Sequence, residues 1–550
     1  MSLEKFVTVN TQHGPVKGDR RTTILGMDYI NFQGIPYMKA PIGKLRFRAP
    51  VEPEKWTETF DATQDCPSFP SFDSYLKKAT GIEDAGCINV FTKNVKPNNL
   101  YPVLVYIHGG GFQPLKLINR KILFFIRLEV LRLICFTILA IFFKKSLSLS
   151  HSIIVLVHDD PSLDVPGNAG LKDQRMALKW IKENIKNFGG DPDSITLFGT
   201  SAGGSSVHYH LISEKSKGLF HRAIAMSGTS LNMNWAHHPR QNYAERIARL
   251  CGYEGDGSDK SVLEFLENAD FEKIVEASEN ILTDEEKFQE HVVFANGPVV
   301  EPYITDHTFI HKSPILMARE AWSKDIDVIF GGTTNEGLLM AFYPDPNDKR
   351  IQYLEDSTNF TPFLDLNLKY DNVKSKIFGK TLKELYYGAT MPTINNKLPY
   401  YYYQGDLQFW YGIQRAVLSR IKAGGKGKTF TYYFDILTEQ NGLKKLFKCE
   451  EFPGAEHGGC LGYIFSSVMF PKPAIDSIEF KNIIKVVGII SNFAIYGHTG
   501  VDEWEENKSL ELPLRCLHLT KDGMQMIDLP ETARLKVWDK IYKEAGAVLY

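Results

Sequence analysis

The sequence has few cysteines and almost no net charge, and it offers no uncharged apolar run of membrane-spanning length. Its 550 residues include 7 cysteines, none in a CxxC pair, which argues against a metal knuckle, a redox motif or a disulfide-dense scaffold. The formal net charge of −2 gives no electrostatic basis for binding nucleic acid or an anionic membrane surface. With 43% hydrophobic and 23% charged residues, the composition is that of an ordinary globular protein.

The two ends of the chain carry no targeting signal that we recognise. The N-terminal sequence MSLEKFVTVNTQHG lacks the apolar region of a signal peptide. The C-terminal sequence EAGAVLY is neither an ER-retention signal nor a prenylation box. We therefore expect a cytoplasmic protein, with secretion or association with the ER as the alternative; the oligomeric state stays open.

Runs typical of buried strands alternate with helical patterns along the chain. Strand-like runs lie at 101–107, 194–199, 221–228, 326–337 and 429–436, and helical periodicity lies at 173–188, 202–212 and 531–546. Continuous apolar strands belong to sheets that are covered on both faces. The alternation predicts an α/β fold with a large, mostly parallel central sheet and helices on both faces. Without a repeat or a linker, residues 1–550 are expected to form one domain.

The segment from Pro114 to Val157 has a composition unlike the rest of the chain. It contains no glycine and no aspartate, is rich in Leu, Ile and Phe, and has seven Lys and Arg residues against one Glu. Its uncharged run, Leu133–Phe143, is 11 residues long, whereas a membrane helix needs about 20. We therefore expect no membrane span here.

A candidate nucleophile, Ser201, lies in the GxSxG sequence Gly199-Thr200-Ser201-Ala202-Gly203, between a predicted strand and a predicted helix. This chemistry needs a serine presented on a strained turn, with glycines where side chains would collide. The five residues alone also fit a simple Gly/Ser turn, but the strand and helix on either side favour a nucleophile.

A candidate oxyanion hole follows an earlier predicted strand, in the sequence His108-Gly109-Gly110-Gly111-Phe112. Backbone N–H groups that approach an oxyanion closely favour glycine, and hydrolases with an HGGG loop use this arrangement. The predicted donors are the N–H groups of Gly110, Gly111 and Ala202.

The other two members of a triad should follow in the order acid, then histidine. Glu336 in GGTTNEG follows the strand-like run IDVIF, and His457 lies in the loop PGAEHGGCLGY. His457 would take the Ser201 proton, and Glu336 would orient the imidazole and stabilise its cation. Chemistry alone does not single out His457 among 15 histidines.

The motifs together resemble the type-B carboxylesterases of the cholinesterase family, and most closely the insect intracellular α-esterases. The matching stretches include FQGIPYMKAPIGKLRFRAP, EDAGCINVFTKN, VYIHGGGF, PGNAGLKDQRMALKWIKENIKNFGGDPDSITLFGTSAGG and GAEHGGCLGYIF. The resemblance implies an α/β-hydrolase fold and the same triad and oxyanion residues. It also implies that Ser227 is a hydroxyl beside the triad and that Cys66 and Cys87 form a disulfide, which a cytoplasmic location would disfavour.

The sequence departs from the family pattern in three places. Gly459 and Cys460 stand where acidic residues usually follow the histidine, and Phe265 stands near where a partner for Cys251 is expected. In addition, 114–157 replaces a loop and a buried strand, with abrupt edges that suggest translated intron sequence. Losing a central strand would leave neighbouring strands without ladder hydrogen bonds, each worth about 0.5–1.5 kcal/mol. The run SIIVLV (152–157) is a candidate substitute strand.

Three functional hypotheses follow. The first is an active serine esterase that hydrolyses small to medium apolar esters through an acyl-enzyme, with no metal or organic cofactor, because serine chemistry requires none. The second is a protein of the same fold that is non-catalytic or defective, because residues 114–157 replace an expected core strand. The third is turnover of a specialised hormone or odorant ester. The expected partner is a small-molecule ester, with no nucleic acid.

Overall fold

The computed structural model describes residues 4–23, 26–73, 78–112, 125–126, 139–142, 159–232, 235, 243–342, 344–466 and 470–550. Its strands, numbered along the chain, are β1 Phe6–Asn10, β2 Pro15–Thr22, β3 Asp28–Pro36, β4 Phe60–Asp61, β5 Ser71–Asp73, β6 Lys78–Thr80, β7 Cys87–Thr92, β8 Tyr101–Ile107, β9 Phe125–Ile126, β10 Leu139–Phe142, β11 Gly190–Thr200, β12 Arg222–Met226, β13 Asp327–Thr333, β14 Thr429–Asp435, β15 Phe465–Ser466, β16 Arg515–Thr520 and β17 Met524–Asp528.

Along the chain, most of the α-helices formed by the described residues follow strands of the central sheet. They are α1 Ala169–Asn184, α2 Ala202–Ile212, α3 Tyr243–Leu250, α4 Asp259–Asn268, α5 Phe271–Glu279, α6 Asp284–Phe288, α7 Pro314–Arg319, α8 Pro344–Tyr353, α9 Phe363–Leu366, α10 Val373–Tyr387, α11 Leu398–Gly405, α12 Tyr411–Ala423, α13 Gly442–Leu446, α14 Leu461–Ile464, α15 Ile478–Tyr496 and α16 Thr532–Ala545.

The central sheet has the strand order β1-β2-β3-β7-β10-β8-β11-β12-β13-β14-β16-β17, with β4 paired to β2. The run from β10 to β16 is parallel throughout, and antiparallel strands close both ends. Along β8, Val103, Val105 and Ile107 enter one hydrophobic core while Leu104 and Tyr106 enter a second on the opposite face. This alternation confirms the predicted α/β architecture, because each apolar strand is covered on both faces.

The predicted core elements occur with small shifts at their ends. The strands expected at 101–107 and 194–199 lie within β8 and β11, and the helix expected at 202–212 is α2. The helix expected over 173–188 begins earlier, at Ala169, and ends at Asn184. A 3₁₀ turn, Ile185–Phe188, then ends at Gly189, whose φ of 87° continues the chain in the left-handed region.

The position of the strand expected to be missing is occupied. β10 lies between β7 and β8, antiparallel to the first and parallel to the second, with Ile141 opposite Val90 on one side and Val105 on the other. The expectation that the neighbouring strands lose their partner is therefore wrong, because Leu139–Phe142 supplies one. The candidate substitute SIIVLV lies outside the described residues, as does most of 114–157.

The cysteines follow the pattern that the resemblance implied. Cys66 and Cys87 form a disulfide with a Cα–Cα distance of 6.3 Å, joining the chain before β5 to the start of β7. Cys251 is a free cysteine. The ring of Phe265 packs instead on Tyr253 at 5.4 Å between ring centroids. None of the helices formed by the described residues is long and apolar enough to cross a bilayer.

Candidate active site

Ser201 occupies a sharp turn between β11 and α2. Its backbone has φ 61° and ψ −126°, values that a residue with a side chain rarely adopts. Its N–H donates to the carbonyl of Met226 at 2.8 Å, which fixes the turn against the end of β12. A Cβ on Gly203 would lie 2.1 Å from the carbonyl oxygen of Ile107, so only glycine allows α2 to approach β8 this closely. These features are typical of a strained turn that presents a nucleophile.

The loop after β8 lies directly beside Ser201. A Cβ on Gly109 would be 2.6 Å from the carbonyl oxygen of Thr200 and 2.9 Å from the Ser201 Cβ. Gly110 and Gly111 have φ values of 138° and 63°, in the region that favours glycine. Ala202 is the first residue of α2, so its N–H is at the positive end of that helix. The structure thus places Gly109, the residue before two of the predicted oxyanion donors, against the Ser201 turn, and the third predicted donor, Ala202, directly after it.

Glu336 and His457 form a direct hydrogen bond. His457 Nδ1 and Glu336 Oε2 are 2.5 Å apart, and Glu336 Oε1 accepts the N–H of Thr333 at 2.7 Å. The Glu336 side chain is fully buried and the His457 side chain is 8% exposed. Because an ionised carboxylate only accepts, it fixes the proton on Nδ1 and leaves Nε2 as the basic nitrogen.

Backbone contacts join the loops that carry Glu336 and His457. The N–H of Asn335 donates to the carbonyl of Ala455 at 3.0 Å, and the N–H of Ala455 donates to Thr334 Oγ1 at 2.7 Å. A short parallel bridge pairs Asn335 with Glu456. Although 121 residues separate the acid from the histidine, both are therefore held by one connected piece of backbone.

Ser201, Ser227 and Glu336 follow the carboxyl ends of β11, β12 and β13, which are adjacent parallel strands. This edge is the usual location of sites in open α/β sheets. Ser227 is fully buried, and its N–H donates to the carbonyl of Gly331 at 2.7 Å. Its hydroxyl lies beside that of Tyr432, whose pKa burial raises well above its ordinary value, with Cys460 and Glu336 adding to the shift.

Two other histidines, on the helix that follows Ser201, are buried inside the fold. His208 and His210 lie on α2, fully buried, with Nδ1 atoms 2.8 Å from Ser230 Oγ and 2.7 Å from Ser216 Oγ respectively. Burial lowers the pKa of each to about 3. Both imidazoles are therefore neutral and already committed to hydrogen bonds inside the fold.

Glycine and cysteine follow the histidine where acidic residues were expected from the family pattern, and the structure shows what they permit. A Cβ on Gly459 would lie 2.9 Å from a carboxylate oxygen of Glu456, so the absence of a side chain leaves room for that buried carboxylate. Glu456 Oε2 accepts from Asn441 Nδ2 at 3.2 Å. Burial raises the pKa of both Glu456 and Cys460, and the Cys460 thiol stays protonated at neutral pH.

Aromatic rings line the site, and of these only Phe112 belongs to a motif quoted from the sequence. Phe409 packs on His457 with 4.5 Å between ring centroids, Trp235 packs on Phe409 at 5.6 Å, and Phe112 packs on Trp235 at 6.3 Å. A Cβ on Gly111 would touch the ring of Phe294 at 2.5 Å. These rings come from four separate parts of the chain, so only the fold reveals that they form one apolar wall.

The chain matches the profile of the carboxylesterase family over residues 5–117 and 159–538. The stretch between the two matched regions is the part of the chain whose composition is unusual. The curated relatives include Esterase B1 of Culex pipiens, which is 37% identical over 98% of this chain and 99% of its own length. They also include the juvenile hormone esterase of Tribolium castaneum, 30% identical over 89% of this chain and 83% of its own length.

A solved structure has the same fold. The crystal structure of juvenile hormone esterase from Manduca sexta, with OTFP covalently attached, superposes with a TM-score of 0.81. The alignment covers 98% of this chain and all of that one, at 24% sequence identity.

Proposed function

The chain belongs to the carboxylesterase family and is a carboxylic ester hydrolase of the α/β-hydrolase fold, and from that premise we propose that Ser201, His457 and Glu336 form its catalytic triad. The observation that carries this proposal is the 2.5 Å contact between His457 Nδ1 and Glu336 Oε2. An imidazole whose Nδ1 proton is held by a buried carboxylate has its other nitrogen available as a base. The strained backbone of Ser201 adds support.

The proposed reaction has two stages. His457 Nε2 takes the proton of Ser201 while Oγ attacks the ester carbonyl, and the N–H groups of Gly110, Gly111 and Ala202 stabilise the resulting oxyanion. The tetrahedral intermediate collapses, and the alcohol leaves with the proton from His457. Water then attacks the acyl-enzyme by the same route and releases the acid. We include Ser227 as a buried hydroxyl that supports the site without taking part in proton transfer.

We propose small to medium apolar esters as substrates. The aromatic wall formed by Phe112, Trp235, Phe294 and Phe409 supports this choice, because it removes apolar substrate surface from water at about 25 cal/mol per Å² and offers no charge for an ionic substrate. We propose one domain for the whole chain and a cytoplasmic location, with secretion or association with the ER as the alternative that the Cys66–Cys87 disulfide favours. Localising a tagged full-length chain in the source cells decides between the two locations.

A fluorophosphonate probe tests the proposal, because it reacts with a serine only when the base and the oxyanion hole are both formed. We expect the wild-type chain to be labelled and Ser201→Ala to be unlabelled. Ser206→Ala is the matched control, since Ser206 lies on the same helix with its hydroxyl bonded to the carbonyl of Ala202, and it should remain labelled. Folded wild-type protein that takes up no probe would refute the proposal and support a non-catalytic member of the fold.

A further inference from the structure

A π-helical turn, Asp406–Trp410, interrupts the helical path between α11 and α12. In this turn the N–H of Tyr411 bonds the carbonyl of Asp406, five residues back. Such turns are rare and frequently lie at functional sites. Two side chains from the loop after β12 donate to its carbonyls. Asn232 Nδ2 bonds Gln408 at 2.7 Å and Phe409 at 2.9 Å, and Trp235 Nε1 bonds Gln408 at 3.0 Å.

Both ends of the turn are fixed as well. At the start, the buried carboxylate of Asp406 pairs with Arg534 at 2.5 Å. At the end, Trp410 Nε1 donates to the carbonyl of Thr333 at 3.0 Å, and Thr333 is the residue whose N–H binds Glu336. The backbone that carries Phe409 is therefore positioned relative to the same strand end that positions the acid.

The ring of Phe409 lies against the imidazole of His457, with 4.5 Å between centroids and 37° between the ring planes. The Phe409 side chain is itself buried. A cation within about 6 Å of an aromatic centroid is attracted by the ring, by about 0.5–1 kcal/mol at exposed sites and about 2 kcal/mol or more when it is desolvated. His457 becomes a cation each time it holds the Ser201 proton.

We propose that Phe409 is a positioning residue for His457, which stabilises the imidazolium through its aromatic face and is presented by the π-helical turn that Asn232 holds. This inference rests on the triad proposed above. The role is distinct from lining the substrate pocket, because it acts on the protonated histidine whether or not a substrate is bound.

The other titratable groups around His457 remain the same when Phe409 is changed. The charged partner is Glu336, and Asp406 on the π-helical turn is committed to Arg534. The groups from neighbouring elements are Glu456 and Cys460 on the histidine loop and Tyr432 on β14, and burial raises the pKa of all three. A difference between wild type and a Phe409 variant therefore reports the ring.

The test is the pH profile of kcat/KM for p-nitrophenyl butyrate, read at the isosbestic wavelength of the product. In Phe409→Leu the imidazolium loses the ring, so we expect the acid limb to move to lower pH by about one half to one pH unit. Phe409→Tyr keeps an aromatic face and should keep the limb in place. The matched control is Phe220→Leu, which also removes a buried ring. Phe220 packs on Trp322 and lies just before β12 begins, at the end of that strand opposite to the site.

The sign of the shift separates the two roles of the ring. If Phe409 only excludes water, leucine admits solvent, the imidazolium gains stability, and the limb moves to higher pH. A higher or unchanged limb in Phe409→Leu, or an equal shift in Phe409→Tyr, would overturn the inference. A lower kcat/KM with the limb unmoved would have the same meaning, because a pocket wall acts in that way.

A second variant keeps the inference testable if Phe409→Leu does not fold. Asn232→Ala removes the side-chain donor from the carbonyl of Phe409, while Trp235 still binds that of Gln408, so the limb should shift in the same direction as in Phe409→Leu. An unmoved limb in a folded Asn232→Ala enzyme would overturn the link through the turn. If the proposed triad were wrong, the results would differ from a failure of the Phe409 inference alone. Ser201→Ala would retain turnover, or the wild-type profile would have no acid limb.

Discussion

Replacing Glu336 with glutamine tests how the carboxylate fixes the histidine. Glu336 accepts two hydrogen bonds, from the N–H of Thr333 and from His457 Nδ1. Glutamine has almost the same shape but offers one acceptor and one donor. In one of the two contacts the glutamine NH₂ group would therefore face a second donor, unless the group opposite it can give up its proton.

The partner that can do so is the histidine. The proton of the Thr333 amide is fixed, so the glutamine carbonyl should turn toward Thr333 and its NH₂ group toward His457. The imidazole must then accept at Nδ1 and carry its proton on Nε2, the nitrogen that should take the serine proton. In serine proteases the equivalent change lowers kcat by about 10⁴, which corresponds to about 5.5 kcal/mol of transition-state stabilisation. We expect a loss of this size in kcat for Glu336→Gln.

The assay is hydrolysis of p-nitrophenyl butyrate at pH 8, together with thermal unfolding to confirm that the variant folds. Glu531→Gln is the matched control, since Glu531 is also buried but bonds Tyr433 and not His457; it should keep most of the activity. A folded Glu336→Gln enzyme that loses less than about tenfold in kcat would show that tautomer control is not what Glu336 supplies.

Three further predictions concern stability. Cys66→Ser with Cys87→Ser opens a link spanning 21 residues and should lower the free energy of unfolding by about 3 kcal/mol; unchanged denaturation midpoints with and without reductant would contradict it. Ile141→Pro should cost about 3 kcal/mol or more, because proline removes a ladder hydrogen bond from a central strand; an unaltered midpoint, with Ile141→Val as control, would argue against β10. Burial, with the charge of Asp406 next, raises the pKa of Glu531 from 4.5 to about 7, so its contribution to stability is present below about pH 4.5 and is lost as the pH rises through 7. Glu531→Gln should therefore match wild type in chemical denaturation at pH 4 and exceed it by up to about 3 kcal/mol at pH 8, and equal midpoints at both pH values would refute the shift.

The sequence predicted those parts of the site whose chemistry is local. The turn at Ser201 and the glycines of the oxyanion loop need particular residue types at particular backbone positions, and such needs leave short motifs. Glu336 could be placed after the strand-like run IDVIF, but His457 was singled out among the histidines only by the resemblance, since a histidine far along the chain from its acid carries no local pattern. The bridge between Asn335 and Glu456 that brings them together is formed by backbone atoms, which any residue provides.

Phe409 shows why the surroundings of the triad could not be predicted. Its sequence, DLQFW, lies within a continuous helical pattern, and nothing in the composition marks a π-helical turn. The turn depends on Asn232, 177 residues away from Phe409 along the chain, whose side chain bonds two of its carbonyls. Long-range hydrogen bonding of this kind overrides local propensity, and it is visible only once the loop after β12 and the helix region are folded against each other.

The strand between β7 and β8 extends the same reasoning to the fold. Several apolar runs in 114–157 have the composition of a strand, and hydrophobicity alone pointed to SIIVLV. What a central position in a sheet requires is backbone that can pair on both sides in register, and Leu139–Phe142 meets that requirement against Asn89–Phe91 and Val103–Tyr106. Four residues outside the family match are enough to make the sheet continuous beside the oxyanion loop. A strand demands little of its sequence, so Leu139–Phe142 can pair with both neighbours although these residues lie outside the family match. The Ser201 turn demands a great deal, and we therefore expect activity to depend on that turn, the glycine loop and the Glu336–His457 pair.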